Sequence, residues 1–452
     1  MKFPALDPDK AYRTGSLFLP TSKVAEKPVY GAMTFEASDG TDRVLVSRHP
    51  HHLEIPREGF SAEQLGRLGI DVIALTPSTF DPVSIRPKPG SSLRPDQEGA
   101  AKALRSVKNG VLNVGCGKGK TYLGWYKACL VGAPTLVISP QVAHLENWLV
   151  ELNLHFDFSG TVGWIQGKKM EWDKDIVLST VQTLAKRCES GSLPPEFHRR
   201  FGLTIYDECH YMSAEWFSLA ANVSHGPRLG LTATVNRADM NEGIFLAHLG
   251  PVFYEDLEQD LQPEFVVVDT CVFPSSADKK KFLDRSGMRH CGLIRAWLAK
   301  HPYRNSVITS IVDKVIADGR TVYCLSHGPD HVEHLHGLYK NTSTVIHGGT
   351  PAKDRLDRLN GADLVFATLG VGKEAYNRKD LDTLLLLTPF SASDHAATSF
   401  DQSVGRILRS SPGKKDPVVY LFRDESIPEC AGMIGSLLKA ARKRGYKIRE
   451  YE

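Results

Sequence analysis

The sequence lacks the features that mark secreted, membrane-spanning or zinc-binding proteins. No two of its eight cysteines form a Cys-x-x-Cys pair, so their spacing predicts neither a zinc site nor a disulfide framework. The N-terminal segment MKFPALDPDK has no apolar signal core, and no uninterrupted apolar run is long enough to cross a membrane. We therefore expect a protein of the reducing cytoplasm without a membrane partner.

The chain also lacks a strong net charge. Its 452 residues include 55 basic and 52 acidic residues, for a formal net charge of +3, and 42% of them are hydrophobic. A uniformly basic nucleic-acid binder would carry a larger excess, so any surface for nucleic acid must be local. The length and the apolar content allow two or three domains, each with its own core.

Three regions and a connection follow one another along the chain. Residues 1–90 are rich in proline and glycine and hold short strand-like runs, which predicts a small β-containing N-terminal domain. In residues 91–262, and again in 301–452, apolar runs of strand length alternate with helix-like stretches, which predicts two α/β domains with parallel sheets. Residues 263–300 are expected to link these two domains.

The predicted strands share an apolar core and a polar residue or a turn at their ends. In the N-terminal region they are 29–37 and 43–47; in the first α/β domain 111–114, 135–139, 175–179, 203–206 and 228–231; in the second 321–325, 343–346, 363–367, 383–387 and 417–422. In the connection, residues 279–300 have a helix-like pattern.

A glycine-rich loop joins a strand-like run to a helix-like stretch at residues 111–121, Val-Leu-Asn-Val-Gly-Cys-Gly-Lys-Gly-Lys-Thr. Backbone N–H groups of such a loop converge on phosphate oxygens, and the helix N-terminus adds a positive dipole end. Lys120 would reach the β and γ phosphates of ATP, and the Thr121 hydroxyl would ligate Mg²⁺. The residues predicted to bind the nucleotide here are Gly115, Cys116, Gly117, Lys118, Gly119, Lys120 and Thr121. The full motif has glycine where this chain has Val114, so a turn that ends in Gly-Lys-Thr by chance is the alternative.

Two adjacent carboxylates end the apolar run at residues 203–210, Leu-Thr-Ile-Tyr-Asp-Glu-Cys-His. In a parallel sheet, ligand chemistry lies at the carboxyl ends of the strands. Asp207 would hold Mg²⁺, mostly through water, and Glu208 would orient or deprotonate the attacking water. An ordinary acidic turn is the alternative, but the phosphate loop upstream makes it the weaker interpretation.

With these two motifs and the following ones, residues 93–422 resemble superfamily 2 helicases. Leu-Arg-Pro-Asp-Gln at 93–97 is similar to the adenine-reading motif, which implies nucleotide contacts for Arg94 and Gln97. Segments 139–141 and 179–182 match the places where the first motor domain holds a nucleic-acid backbone, and 231–234 resembles the motif that couples the two sites. The backbone contacts implied in this domain are Pro140, Gln141, Thr180 and Gln182.

The second α/β domain adds the most specific match. Residues 402–409, Gln-Ser-Val-Gly-Arg-Ile-Leu-Arg, fit the family pattern QxxGRxxR without a mismatch. The resemblance implies that Gln402 belongs to the catalytic motif and that Arg406 and Arg409 reach the phosphates from the second domain. A basic amphipathic helix is the alternative, and it explains neither the glutamine nor the order. The loops at 347–349 and 367–374 resemble backbone-holding motifs, which implies contacts from His347, Gly348 and Thr368.

The resemblance implies two tandem RecA-like motor domains that hydrolyse ATP with Mg²⁺ and move along nucleic acid. The order of a small domain and a compact motor is similar to phage recombination and branch-migration helicases of the UvsW type. We therefore expect a monomeric DNA helicase or translocase in a bacterial or phage-infected cytosol, acting on forked or branched DNA with duplex and single-stranded parts. An RNA helicase, a duplex translocase without strand separation, an inactive clamp and a metabolic kinase stay as alternatives.

Two further patterns are interpreted as structural. Histidines 327, 331, 334 and 336 have spacings that could hold a metal, but without a cysteine or acidic cluster we favour solvated helix histidines. Trp148 is expected to lie in the core or at a domain contact rather than to act in the site.

Overall fold

The computed structural model describes residues 7–36, 41–75, 79–115, 117–210, 215–233, 242–257, 261–371, 378, 380–390, 404–405, 407–408, 411 and 413–451. The chain divides into two compact units, Met1–Leu257 and Glu258–Glu452. No helix in these described ranges is both long enough and apolar enough to cross a membrane.

The first unit begins with a small mixed sheet. Its strands are β1 (Ala11–Arg13), β2 (Ser16–Pro20), β5 (Ser47–Arg48), β6 (His52–Pro56) and β7 (Val72–Ala74), in the order β5-β6-β2-β1-β7. A two-stranded ribbon, β3 (Thr34–Glu36) with β4 (Asp42–Val44), and the helices α1 (Glu26–Ala32) and α2 (Ala62–Arg67) complete it. Residues 29–37 were predicted as a strand, and that prediction is wrong for most of the run. Val29 and Met33, four residues apart, are both buried in the small core, and Pro28 is tolerated in the first helical turn.

The rest of the first unit is an eight-stranded sheet with helices on both faces. The strands of this region are β8 (Ile85–Pro87), β9 (Gly110–Val114), β10 (Thr135–Ser139), β11 (Phe156–Phe158), β12 (Val162–Gln166), β13 (Lys169–Met170), β14 (Ile176–Thr180), β15 (Leu203–Asp207), β16 (Arg228–Thr232) and β17 (Val252–Asp256). Strands β8 and β11 form a separate antiparallel pair, and the other eight form the sheet. A 3-10 turn (Pro95–Gln97) precedes the helices α3 (Glu98–Ser106), α4 (Lys120–Val131), α5 (Val142–His155), α6 (Val181–Glu189), α7 (Phe197–Arg200), α8 (Glu215–Ala221) and α9 (Glu242–Leu249).

The strand order places the sequence motifs side by side. The sheet runs β13-β12-β14-β10-β15-β16-β9-β17, and all its neighbours are parallel except β12 and β13. The central strands β9, β10 and β16 are buried along their whole length, and separate apolar clusters cover the two faces. Because parallel strands end at the same edge, the loops after β9, β10, β14, β15 and β16 meet there.

Two buried arginines join the small sheet to the large one. The Arg57 guanidinium donates to the carbonyl oxygens of Thr14 at 2.7 Å and of His225 at 2.5 Å. Arg228, at the first position of β16, donates to the carbonyl oxygen of Gly15 at 2.5 Å. Burial lowers the pKa of Arg57 to about 9, which reflects the cost of desolvating these cations. The N-terminal sheet is therefore fixed to the first α/β domain rather than tethered by a linker.

The second unit is a seven-stranded parallel sheet. Its strands are β18 (Glu264–Asp269), β19 (Val322–Ser326), β20 (Ser343–Ile346), β21 (Leu364–Thr368), β22 (Thr383–Leu386), β23 (Val418–Arg423) and β24 (Lys447–Glu450), in the order β20-β21-β19-β22-β23-β18-β24. Its helices are α10 (Ser276–Lys281), α11 (Cys291–Ala299), α12 (Pro302–Ala317), α13 (Pro329–Leu338), α14 (Ala352–Asn360) and α15 (Pro428–Lys443). Apolar clusters lie on both faces of this sheet.

Part of the predicted connection belongs to this second sheet. Strand β18 carries the apolar run Phe265–Val268 and pairs with β23 and β24. The helix-like residues 279–300 form two helices, because a turn around Asp284 and Gly287 separates α10 from α11. The boundaries of the predicted domains stay predictions, whereas the fold class is confirmed. Two tandem RecA-like α/β domains follow a small β-containing region.

Candidate nucleotide and nucleic-acid site

The phosphate loop connects β9 to α4, as the sequence predicts. Gly119 caps the N-terminus of α4 in a left-handed conformation with φ 73°, and Gly117 has φ 86°. A side chain at Gly119 would also lie 2.2 Å from Nε2 of Gln97. The loop therefore requires glycine at these positions, for its backbone and for its close contact with Gln97. Cys116 lies outside the described residues.

Arg94 and Gln97 pack directly on this loop. The side-chain amide of Gln97, which is 3% exposed, donates to the carbonyl oxygen of Lys118 at 3.0 Å. The Arg94 guanidinium donates to the carbonyl oxygen of Gly117 at 2.9 Å and pairs with Asp96 at 3.0 Å. Both residues thus hold the loop in shape, and their predicted contact with the adenine base stays a prediction.

The two lysines of the loop differ in their surroundings. The Lys120 ammonium donates to the carbonyl oxygens of Val114 at 3.2 Å and of Gly115 at 3.5 Å, at the start of the loop that would enclose the phosphates. Lys118 is 8% exposed, and its Nζ lies 3.5 Å from Oδ2 of Asp256. The side chain of Lys118 thus pairs with Asp256, and the phosphate contact of Lys120 stays a prediction.

Asp207 ends β15 and is oriented by residues from two other elements. The indole N–H of Trp148 donates to Oδ2 of Asp207 at 3.1 Å, and the Ser139 hydroxyl donates to the same oxygen at 3.3 Å. His144 in turn lies 3.1 Å from the Ser139 hydroxyl through Nδ1. Trp148 is in the core, as expected, but it also holds a predicted metal ligand. No sequence pattern indicates this role, because the contact spans 59 residues.

Glu208 lies just beyond the strand in an unusual conformation. Its φ of 49° is one of two positive values at non-glycine residues in the described part of the chain. Burial raises its pKa to about 7; the nearby Lys120 lowers the pKa and Asp207 raises it further. Oε2 accepts no hydrogen bond from any described residue. A buried carboxylate whose pKa is raised to near neutrality has the property that a general base needs.

The acidic motif also contacts the predicted coupling motif. His210 Nδ1 lies 3.0 Å from the Thr232 hydroxyl and 3.4 Å from Oε2 of Glu208. Because Thr232 ends β16, this chain of contacts connects the edge of one strand to the loop after its neighbour β15. The contacts therefore reach from Glu208 through His210 to the last residue of β16.

The donor set fits Mg²⁺. Neither Oδ1 of Asp207 nor the Thr121 hydroxyl has a hydrogen-bond partner in the described parts of the chain, and both are hard oxygen ligands of the type Mg²⁺ prefers. When bound, the ion would offset negative charge on the phosphates. Among the described residues, no group of three or more His, Cys, Asp or Glu could hold a metal by itself. Such a site would depend on the nucleotide for its remaining ligands.

The predicted nucleic-acid contacts of the first unit lie at the same edge of the sheet. Pro140 and Gln141 follow β10. Thr180 is the last residue of β14, and Gln182 is the second residue of α6. The two strands are parallel neighbours, with Ser139 opposite Thr180. The Thr180 hydroxyl caps α6 by accepting from the backbone N–H of Thr183 at 3.4 Å. The structure brings these residues together, and their contact with nucleic acid stays a prediction.

The corresponding residues of the second unit also share one edge. His347 and Gly348 follow β20, and Thr368 ends the adjacent parallel strand β21. His347 Nε2 lies 2.7 Å from Oε1 of Glu333, so this histidine is held by α13. The catalytic predictions for Gln402, Arg406 and Arg409 lie outside the described residues.

The histidines around α13 are not all solvated, and the prediction for them is wrong in part. His331 is 2% exposed and bonds to the Ser326 hydroxyl at 3.0 Å and to the Asn305 side chain at 3.1 Å. His327 lies 2.8 Å from the Thr388 hydroxyl. Burial lowers the pKa of His331 to about 3 and that of His327 to about 4. They are neutral structural residues that the sequence spacing could not distinguish from surface residues.

Comparison with known proteins agrees with this geometry. A family model described as "Type III restriction enzyme, res subunit" matches residues 90–237. The chain is 27% identical over 387 residues to "DNA 3'-5' helicase XPB" of Mycobacterium tuberculosis, covering 82% of this chain and 67% of that protein. These matches confirm the predicted enzyme class, an ATP-dependent helicase.

Two viral relatives show similar coverage. "Putative ATP-dependent RNA helicase L396" of Acanthamoeba polyphaga mimivirus is 26% identical over 425 residues, which is 90% of this chain and 78% of that protein. "Probable helicase D10" of Escherichia phage T5 is 25% identical over 362 residues, which is 78% of this chain and 75% of that protein. In each case the similarity extends over both described α/β units.

Proposed function

We propose that this chain is a DNA translocase that uses ATP to remodel forked or branched DNA. The observation that carries the proposal is the arrangement at one sheet edge. The phosphate loop with Lys120, the carboxylates Asp207 and Glu208, and the strand-holding loops after β10 and β14 all end there. A motor needs its nucleotide and its track on the same structural element, so that a change at one reaches the other.

In the proposed reaction, Lys120 and the loop N–H groups hold the phosphates. Glu208 takes a proton from the attacking water, and Asp207 with Thr121 holds Mg²⁺. Arg406 and Arg409, as the resemblance implies, would offset charge on the phosphates. Alternating grip on one strand by the two domains moves the enzyme, which we propose acts as a monomer.

DNA as the track is supported by the XPB relative, which is named a DNA helicase, and by the phage origin of D10. The N-terminal sheet supports the remodelling part of the proposal. Since Arg57 and Arg228 fix it to the first motor domain, DNA held by this sheet would be displaced with every motor step.

RNA is the second candidate track. The mimivirus relative, which covers 90% of this chain, is named an RNA helicase, and both tracks present the same phosphate backbone. A motor that holds only backbone phosphates does not distinguish them by base sequence, so the choice depends on sugar contacts and strand geometry.

Regression of a model replication fork tests the proposal. Wild-type protein with ATP should convert a labelled fork into separate parental and daughter duplexes, and Lys120→Ala should bind the fork without converting it. Absence of conversion by the wild-type protein, together with unwinding of an RNA duplex, would favour the second candidate instead.

A further inference from the structure

The most exposed large hydrophobic side chains of the described residues lie on one short segment. Phe273 is 79% exposed and Met288 is 67% exposed, and both belong to the stretch between β18 and α11. Single exposed hydrophobic residues are ordinary on a protein surface. Both lie within residues 271–290, which we call the exposed segment.

Phe273 is held outward by fixed neighbours on both sides. The Thr270 hydroxyl donates to Asp424 at 2.7 Å, and Val272, 2% exposed, is buried in a cluster with Phe282 and Ile427. Two residues after Phe273, the Ser275 hydroxyl caps α10 by accepting from the backbone N–H of Asp278. The phenyl ring therefore projects from an anchored chain and not from a loose loop.

The backbone before Phe273 is strained. Cys271 has φ 50°, and it is, besides Glu208, the other non-glycine residue with a positive φ in the described ranges. Such a conformation costs on the order of 1 kcal/mol or more and persists where surrounding contacts enforce it. Here it lies between buried Thr270 and buried Val272, and Phe273, two residues further on, faces solvent.

The turn after α10 is equally well packed. Phe282 is fully buried, with its ring centroid 5.3 Å from that of Trp297 in an edge-on contact and the Arg289 guanidinium 5.5 Å from its centroid. The Trp297 N–H donates to Asp278 at 3.1 Å. The exposed segment is thus rigid, so binding to it would require little loss of conformational freedom.

The exposed segment is positively charged. Lys279, Lys280 and Arg285 are exposed and form no ion pair with any described residue. The acidic residues of the segment are already engaged: Asp278 bonds to Ser275 and Lys281, and Asp284 bonds to Ser286. An exposed aromatic ring on the same segment as exposed cations is complementary to a nucleic-acid strand, whose bases have flat apolar faces and whose phosphates are negative.

The exposed segment lies at the same edge of the second sheet as the proposed contacts with the nucleic-acid strand. Because Phe273 follows β18, it lies at the carboxyl edge of the second sheet, as do His347 and Thr368. Four strand spacings separate β21 from β18, which is roughly 19 Å at about 4.8 Å each. A single strand only a few nucleotides long can cover that distance.

We infer that the exposed segment binds single-stranded nucleic acid, with Phe273 stacked on an unpaired base and Lys279 and Lys280 against the adjoining phosphates. The inference rests on the proposed function, since it extends the track of the motor. A single strand is favoured over a duplex because the base faces of a duplex are covered by their neighbours.

Binding of fluorescent oligonucleotides to the full-length protein tests the inference. Phe273→Ala should weaken affinity for a single strand by roughly 5- to 150-fold, and Phe273→Trp should keep it. In the double variant Lys279→Gln/Lys280→Gln, the slope of log affinity against log salt concentration should become less steep by about 1.4. This is about 0.7 for each lost phosphate contact.

Leu338→Ala is the matched control, because Leu338 is 59% exposed but lies at the end of α13, which runs back to the opposite edge of the sheet. It should leave binding unchanged, and all variants should keep the thermal stability of the wild type. Unchanged single-strand affinity of Phe273→Ala, or an equal loss in Leu338→Ala, would overturn the inference. If Phe273→Ala lost ATPase activity in the absence of DNA but kept its affinity for the single strand, the inference would also be overturned. Phe273 would then contact protein rather than nucleic acid. If the wild type bound no nucleic acid, the proposed function would fail as well.

Discussion

Replacement of Trp148 by phenylalanine separates the packing of this side chain from its contact with Asp207. The variant keeps an aromatic ring in a site that is 1% exposed but removes the N–H that donates to Oδ2 at 3.1 Å. A hydrogen bond to a charged group contributes about 1.5–3 kcal/mol, which is roughly 10- to 150-fold in rate if the bond is needed in the transition state. We expect a fall in ATP turnover of that size, because Oδ2 would then keep only the longer hydrogen bond from Ser139 and the contact with His144 at 3.8 Å.

Trp125 offers a closely matched control. It is fully buried, its ring centroid lies 5.1 Å from that of Trp148, and its N–H donates to the backbone oxygen of Trp148 at 2.9 Å. Trp125→Phe therefore removes the same atoms and one hydrogen bond from the same core, without touching Asp207. Both variants should be destabilised by a similar amount, about 1–3 kcal/mol.

Steady-state ATPase activity over a range of Mg²⁺ concentrations, with thermal unfolding of each variant, distinguishes the two effects. Trp148→Phe should need more Mg²⁺ and turn over more slowly than Trp125→Phe at equal stability. Equal ATPase loss in the two variants would refute the reasoning, because packing alone would then explain both.

Three further predictions concern the loop, a buried ion pair and a buried histidine. Gly119→Ala should raise the KM for ATP at least about 10-fold, since the new side chain is disfavoured at φ 73° and meets Gln97; a normal KM would contradict this. Arg304→Met should lower the free energy of unfolding by about 3–5 kcal/mol in urea titrations, because it leaves the fully buried Asp424 without its cation. Unfolding lets His331 regain its ordinary pKa of 6.5 from about 3, so the unfolded state binds more protons and stability falls as pH drops below 6.5. His331→Gln should reduce that slope, measured between pH 7 and pH 4, by up to about 1.4 kcal/mol per pH unit.

The sequence predicted the parts of the fold that depend on local pattern. Strand β10 is an apolar run with a polar residue at each end, and its bounds were predicted without error, as were those of β20. The phosphate loop and the acidic pair were predicted because the residues that define them, spaced glycines and carboxylates at a strand end, are adjacent in the sequence. In the N-terminal region, Val29 and Met33 suit a strand or a helix equally, and only the sheet beneath them decides.

The remaining features depend on contacts between distant residues. The Trp148–Asp207 bond joins residues 59 apart, and the Arg228–Gly15 bond joins residues 213 apart. An apolar or basic residue carries no sign of such a partner in its own neighbourhood. The same holds for Phe273, whose exposure is set by how Thr270, Val272 and Ser275 are fastened rather than by its own type.

Nucleic-acid stimulation of ATP hydrolysis tests the central claim most directly. Turnover should be compared without nucleic acid and with single-stranded, duplex and forked DNA and single-stranded RNA, for the wild type and for Lys120→Ala. The account predicts low basal turnover, strong stimulation by DNA that is greatest with the fork, and no turnover by Lys120→Ala. Stimulation by RNA alone, or turnover that no nucleic acid changes, would contradict it.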